Sequence, residues 1–207
     1  TRYLKRQKMR KRQHELTSRE KVEVILRRCR GGRIATHGAD GYPYITPLNY
    51  VYHDGSIYFH CARSGEKLDN LKRDSRVCFE VDIPLAYLDL DYYGENPESC
   101  GVTQFYHSVV IRGRAEIVRD IDEKTAALEA LVASHEPEGR TFRKITAAIK
   151  AVGLCEVVAV RIERISGKSG LAQKKSDEEK NALSTFLENR GLPGDAETAA
   201  LITGKEK

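Results

Sequence analysis

The sequence predicts a mainly β, α+β fold in which short antiparallel strands make a barrel-like run with helices at its flanks. Three observations carry that expectation. From Ile34 to Val81, bursts of β-branched, aromatic and alternating residues are separated by turn residues, the pattern of half-buried strands. Asp54-Gly55 sits between two such bursts, and a two-residue type I′ turn needs the positive φ values that Asp-Gly tolerates. A chain of 207 residues is long enough for one well-filled domain with extensions, or at most two small ones.

Taken in order, residues 1–14 read as a disordered or loosely helical arm. Thr17-Ser-Arg-Glu20 has the spacing of a capping box and opens a helix over Ser18–Cys29 with Val22, Ile25 and Leu26 inward. Arg30-Gly-Gly-Arg33 breaks it, and strands follow over 34–37, 44–46 and 48–52. The Asp54-Gly55 turn predicts a register: His53 opposite Ser56, Tyr52 opposite Ile57, Tyr50 opposite Phe59, Asn49 opposite His60 and Pro47 facing Ala62. Thr46-Pro-Leu-Asn49 and His60-Cys-Ala-Arg63 would then lie side by side. A short amphipathic helix over Glu66–Arg73 buries Leu68 and Leu71, and a strand follows over Val77–Val81.

Residues 82–104, with Pro84, Gly94 and Pro97, read as a long functional loop or lid. A strand over 105–118 is expected to bend at Gly113. Helices are expected over 122–134, with Ala126, Leu128, Leu131 and Val132 buried, and over 140–152. A last strand covers 156–163, and a peripheral helix over 177–188 ends in a frayed tail.

Composition narrows the functional classes. Hydrophobic residues make up 40% and charged ones 31%, and the longest apolar run, Ala126–Ala133, is interrupted by Glu129, so no membrane span is expected. No secretory leader is visible, and the expected compartment is the cytoplasm. Of the 35 basic residues, Arg2, Lys5, Arg6, Lys8, Arg10, Lys11 and Arg12 form one arm, and the other 28 face 30 acidic residues. The body has no basic stripe interleaved with aromatics, so a nucleic-acid partner is not expected; an arm-dependent, salt-sensitive DNA contact is the reading that the arm leaves open. Five cysteines without a CxxC pair suggest neither a disulfide framework nor a metal site.

No Walker or dinucleotide glycine loop, HExxH or GxSxG is present, which takes the usual support from nucleotide-triphosphate and hydrolase readings. What remains is Arg63-Ser-Gly-Glu-Lys67, a basic and small-residue cluster opening a helix directly after a strand. Backbone N–H groups at a helix start favour anions, and Arg63 and Lys67 would add charge for a phosphate dianion. The same cluster also reads as an ordinary solvated turn. His60 is the histidine placed beside both this cluster and the Pro47 segment; taken alone, it also reads as a structural strand residue.

Several stretches together resemble a known family. They are Ile34-Ala-Thr with Asp40-Gly-Tyr-Pro-Tyr44, Pro47-Leu-Asn-Tyr-Val-Tyr52, Gly55-Ser-Ile-Tyr-Phe-His-Cys-Ala62, Gly65-Glu-Lys-Leu-Asp-Asn-Leu71, Val77-Cys-Phe79, Tyr106–Gly113 and Ser166-Gly-Lys168. In this order they resemble the pyridoxamine 5′-phosphate oxidase-like FMN-binding split barrels, and within them the nitroimidazole-resistance branch. The resemblance implies a six-stranded antiparallel split β-barrel over 16–170, an arm over 1–15, and a C-terminal extension over 171–207. It implies a homodimer with FMN at the subunit interface. Thr46, Pro47, Leu48 and Asn49 would line the flavin ring, His60, Cys61, Ala62 and Arg63 would run beside the ribityl chain and phosphate, and Lys67 would pair with the phosphate. His60 takes the place of an active-site histidine in that branch.

The implied activity is reduction of a small electron-poor acceptor, nitroaromatic or quinone-like, by an FMN-dependent oxidoreductase. The alternative is a protein of the same fold that holds FMN or haem without turnover, with His60, His107 or Cys100 offering an axial ligand. Pyridoxamine 5′-phosphate oxidase activity itself is not expected, because the Arg-Leu-His-Asp-Arg-like pattern near the carboxy terminus is missing.

Overall fold

A computed structural model describes residues 11–95 and 101–205. Arg2, Lys5, Arg6, Lys8, Arg10 and Cys100 lie outside the described residues. The elements are β1 (Glu15–Leu16), α1 (Arg19–Arg28), β2 (Gly31–His37), β3 (Pro43–Asn49), β4 (Val51–His53), β5 (Ser56–Cys61), α2 (Glu66–Arg73), β6 (Arg76–Leu88), β7 (Thr103–Ile117), α3 (Ile121–His135), α4 (Lys150–Leu154), β8 (Glu156–Gly170), α5 (Asp177–Arg190) and α6 (Asp195–Thr203). The strands form an antiparallel sheet in the order β3-β2-β6-β7-β8-β5-β4, with the two-residue β1 added on β8. Seven strands therefore lie along the path where six were expected.

The chain divides into two compact units. The first comprises Arg19–Val81 and Val109–Ser166, and the second the described parts of Lys8–Ser18, Asp82–Ser108 and Gly167–Lys207. In the first unit, β3 and β4 are separated in the chain by Tyr50 alone yet occupy opposite ends of the strand order, so the sheet curls back on itself. Tyr50 is buried at this crossing. Its ring meets Phe79 edge-on at 4.9 Å between centroids, and its hydroxyl donates to the Leu26 carbonyl at 2.6 Å, tying α1 to the sheet. Burial pushes the Tyr50 hydroxyl's pKa up, so it remains a donor. The α1 face Val22, Ile25 and Leu26 is buried as its periodicity predicts.

The hairpin follows the predicted register through His53↔Ser56 and Tyr52↔Ile57, with Asp54 and Gly55 at φ 45° and 73°. Beyond Val51↔Tyr58 the prediction fails. Pro47 pairs with Arg33 and Asn49 with Gly31 on β2, while His60 pairs with Val157 on β8. The physical reason is the curl: past Tyr50 the chain leaves the hairpin for another edge of the sheet.

Three other expectations are corrected. The strand expected over 77–81 continues to Leu88, passing through Pro84, so the supposed loop or lid begins only after it. Helix 140–152 is replaced by irregular chain and the short α4; Thr141, Ile145, Thr146 and Ile149 are β-branched and disfavour the longer helix. On α3 the buried residues are Ala127 and Leu131, whereas Ala126 is exposed. Gly113 serves close approach: a Cβ there would come within 2.2 Å of the Arg161 carbonyl oxygen on β8.

The second unit holds its own core of Leu85, Ala86, Leu88, Phe105, Leu183, Leu187, Ala199 and Ile202. Helix α5 opens with a capping box between Ser176 and Glu179 and ends at Gly191 in the left-handed conformation. The expected frayed tail is instead α6, which buries Thr198, Ala199 and Ile202. The Thr198 hydroxyl accepts the Ala86 amide at 2.9 Å and donates to the Gly194 carbonyl at 2.7 Å, so a helix side chain completes the strand's hydrogen bonding. Among the described residues no helix is long and apolar enough to cross a membrane.

Candidate functional site

A basic junction in the first unit lies where β5 hands over to α2. Strand β5 is buried on both faces from Ser56 to Phe59 and surfaces only at its end, where His60 is exposed and Cys61 half-buried. The chain then turns through Ala62, Arg63 and Ser64, all exposed, and Gly65 at φ 131° opens the helix. That backbone conformation suits glycine. No side-chain hydrogen bond caps the start of α2, where the Leu68 and Asp69 amides donate to the Gly65 carbonyl at 2.9 and 3.2 Å.

Two cations flank this turn. The Lys67 ammonium stands 5.0 Å from the centroid of the Phe59 ring, which holds its stem against the core edge. Arg63 approaches Glu156 of β8 at 3.9 Å with its side chain 65% exposed, a loose pairing that leaves the guanidinium free to turn toward a ligand. Glu156 was not legible as part of this region, because it comes from a strand some ninety residues downstream and is brought in by the Cys61↔Glu156 pairing. Burial pushes the Cys61 thiol up, opposed by the charge of Lys67 and reinforced by Glu156, so Cys61 is a thiol lining residue rather than a thiolate nucleophile.

Helix α2 is held in place by a chain of polar contacts that runs from the buried Thr36 and Asn70 to the exposed Arg73. Asn70 donates to the Thr36 hydroxyl at 3.0 Å, and Arg73 donates to the Asn70 side-chain oxygen at 2.6 Å and to the His37 carbonyl at 2.9 Å. These contacts tie the carboxy-terminal half of α2 to β2.

Thr46, Pro47, Leu48 and Asn49 lie on β3, at one end of the strand order. Pro47 and Asn49 are exposed and Leu48 is half-buried. The Thr46 hydroxyl is buried without a hydrogen-bond partner among the described residues. The strand also exposes Tyr44 and Ile45, and Tyr42 just before it is 75% exposed. Thus the structure brings His60, Cys61, Ala62, Arg63 and Lys67 to one strand–helix junction, while the pairing of β3 with β2 takes Thr46–Asn49 out of the hairpin register expected for them.

Histidines without an assignable partner in the sequence acquire them in the fold. His135 meets the Arg30 carbonyl at 2.9 Å through Nε2, and His107 meets the Ser169 hydroxyl at 2.9 Å through Nδ1. No group of metal-ligating side chains occurs among the described residues.

A family model described as pyridoxamine 5′-phosphate oxidase matches residues 18–169. The chain belongs to that family. Among solved structures, it is similar to an FAD- and haem-binding protein from Mycobacterium smegmatis, with 22% identity, a TM-score of 0.66 and coverage of 80% of this chain and 78% of that one. It is similar also to a flavocytochrome from Azotobacter vinelandii, with 20% identity, a TM-score of 0.65 and coverage of 79% and 72%. A third is a candidate 5-nitroimidazole antibiotic resistance protein from Bacteroides thetaiotaomicron, with 21% identity, a TM-score of 0.61 and coverage of 74% and 85%. At these identities the likeness speaks for the fold, a curled antiparallel sheet with flanking helices. A search of curated proteins found no match.

Proposed function

We propose that this chain binds FMN at the β5–α2 junction and serves as an oxidoreductase that reduces a small electron-poor acceptor, nitroaromatic or quinone-like. The observation that carries the reading is the uncapped start of α2 flanked by Arg63 and Lys67, in a chain of this family. The donor set fits a phosphate-bearing cofactor: a helix start without a side-chain cap, a guanidinium and an ammonium suit a phosphate dianion. The buried, unpartnered Thr46 hydroxyl supports a polar ligand on β3.

Bound FMN supplies reversible two-electron redox chemistry. Lys67 and Arg63 would neutralise its phosphate, and the backbone of Thr46–Asn49 would line the ring. The exposed His60 imidazole would hydrogen-bond the acceptor or pass it a proton. The apolar exposure of Tyr42, Tyr44 and Ile45 beside β3 supports a second copy of the chain covering that strand, which would complete the ring's enclosure.

A second reading has its own support, since two structural relatives hold both flavin and haem by name. In that case the chain binds its cofactor without turning over a substrate.

An absorption titration with FMN separates these readings. Saturable binding with a structured band near ~450 nm is expected, and a band near ~400 nm from haem would favour the second reading. The Lys67→Ala variant should bind FMN about tenfold or more weakly, the loss of one charged hydrogen bond. Equal affinity would remove Lys67 from the phosphate. In His60→Ala, retained flavin with slowed turnover is expected, and unchanged turnover would end its catalytic assignment.

A further inference from the structure

The second unit contains a cavity of about 420 Å³ whose charge is one-sided. Lys11, His14, Lys168, Lys174 and Lys175 line it, and among the described residues no aspartate or glutamate does. Lys175 is paired with Glu179 at 3.1 Å, whereas Lys11, Lys168 and Lys174 make no ion pair among the described residues. Like charges gathered round one concave space repel one another, and an anion in that space relieves the repulsion.

The lysines arrive from three separate stretches of chain, and hydrogen bonds fix each stretch. β1 pairs Glu15 with Lys168, and His14 Nδ1 meets the Ser169 carbonyl at 3.2 Å, which sets Lys11 and His14 beside the end of β8. After β8 the chain folds into a turn held by one side chain: Gln173 accepts the Leu171 amide at 3.0 Å and donates to the Ser169 carbonyl at 2.6 Å. Ala172 in that turn has φ 59°, a conformation a non-glycine residue seldom adopts, and its carbonyl accepts the Lys175 amide at 3.0 Å. This turn delivers Lys174 and Lys175 to the cavity that Lys168 already lines. Tyr93 and Tyr106 add aromatic faces and hydroxyls to the walls.

Lys11, His14, Lys174 and Lys175 lie outside the span matched by the family model, so four of the cavity's five basic side chains come from this chain's own extensions. We propose that it is a binding site for a small organic anion carrying at least two negative charges, as phosphate or carboxylate groups, on a body that packs against Tyr93 and Tyr106. The concave shape and size match small-molecule sites and favour such a ligand over an extended polymer.

The test is calorimetric titration of the full chain at low ionic strength with two probes, inorganic pyrophosphate and citrate. Saturable binding of one equivalent of either is expected, and the preferred probe tells phosphate from carboxylate. The double variant Lys168→Ala/Lys174→Ala should bind at least tenfold more weakly with an unchanged thermal midpoint. Lys67→Ala, altered at the flavin-phosphate position of the first unit, should bind these probes as the parent does; a matching loss there would assign the heat to the β5–α2 junction and overturn the proposal. It is equally overturned if neither probe saturates, if the double variant binds like the parent, or if only a single-stranded oligonucleotide binds. As a second readout, the better probe should raise the parent's thermal midpoint and leave that of the double variant where it was.

Discussion

Each unit is braced by one arginine, and the two arginines differ in burial. In the first, Arg161 of β8 donates to Glu116 at 2.7 Å, to Glu123 at 2.6 Å and to the Tyr58 hydroxyl at 2.9 Å, linking β8 with β5, β7 and α3 while its side chain stays 41% exposed. In the second, Arg190 at the end of α5 holds Asp195 through two hydrogen bonds of 2.9 and 2.7 Å, reaches Asp89 at 2.5 Å and caps the Tyr87 carbonyl at 2.9 Å. Its side chain is 13% exposed and that of Asp195 1%. The same chemistry is therefore screened by water in one unit and enclosed in the other. An enclosed pair contributes little net stability when intact, yet removing one member strands a buried charge.

This contrast sets the order of expected effects. Arg190→Ala should be the most damaging, at about 3–5 kcal/mol, because Asp195 would keep a buried carboxylate without its cation. Denaturant unfolding read together with amide exchange checks it, with protection lost first in α5 and α6. A loss below about 1 kcal/mol would mean that water reaches Asp195.

Acid probes the same pair. The Arg190 guanidinium, joined by the Leu192 amide, holds the Asp195 carboxyl below the usual carboxylate range. Above roughly pH 4 the group is charged in both the folded and unfolded chain and its stabilisation is complete. Below that value the unfolded chain takes up the proton first, so stability falls with pH until the folded carboxyl also protonates. Thermal melts at descending pH should show a shallower decline in Arg190→Ala than in the parent; parallel declines would assign the acid sensitivity to other carboxylates.

The smallest effect is expected from Arg161→Ala, about 1 kcal/mol or less, since exposed pairs are screened and hold mobile side chains. A loss as large as that of Arg190→Ala would erase the distinction between the units and show that the Glu123, Tyr58 and Arg161 group acts as one network. Equilibrium unfolding of the two variants side by side decides it.

Local chemistry was readable where its causes lie within a few residues. The start of α1 at Arg19, the Asp54-Gly55 turn and the Leu68/Leu71 face of α2 depend on neighbours in the chain, and each appears in the fold. The Arg63–Lys67 cluster at a helix start was legible for the same reason. What failed depended on distant partners. Pro84 looked like a loop signal because a proline cannot donate to a ladder, yet β6 passes through it. The last strand was expected to stop at residue 163, and β8 runs on to Gly170. The hairpin register stopped at Val51 because Tyr50 commits the chain to a different edge.

By itself, the sequence determined the period of each segment, the positions of its turns, the family to which residues 18–169 belong and the basic junction after β5. Tertiary structure alone decided that Asp195–Thr203 packs as α6 in place of a frayed tail, that Thr198 would serve an amide 112 residues away and Arg190 a carboxylate 101 residues away, and that lysines from three stretches would share one cavity. The division has a physical cause. Turn and cap preferences are set by short-range sterics and hydrogen bonds, whereas burial and charge pairing are set by whichever segments the closed fold brings together.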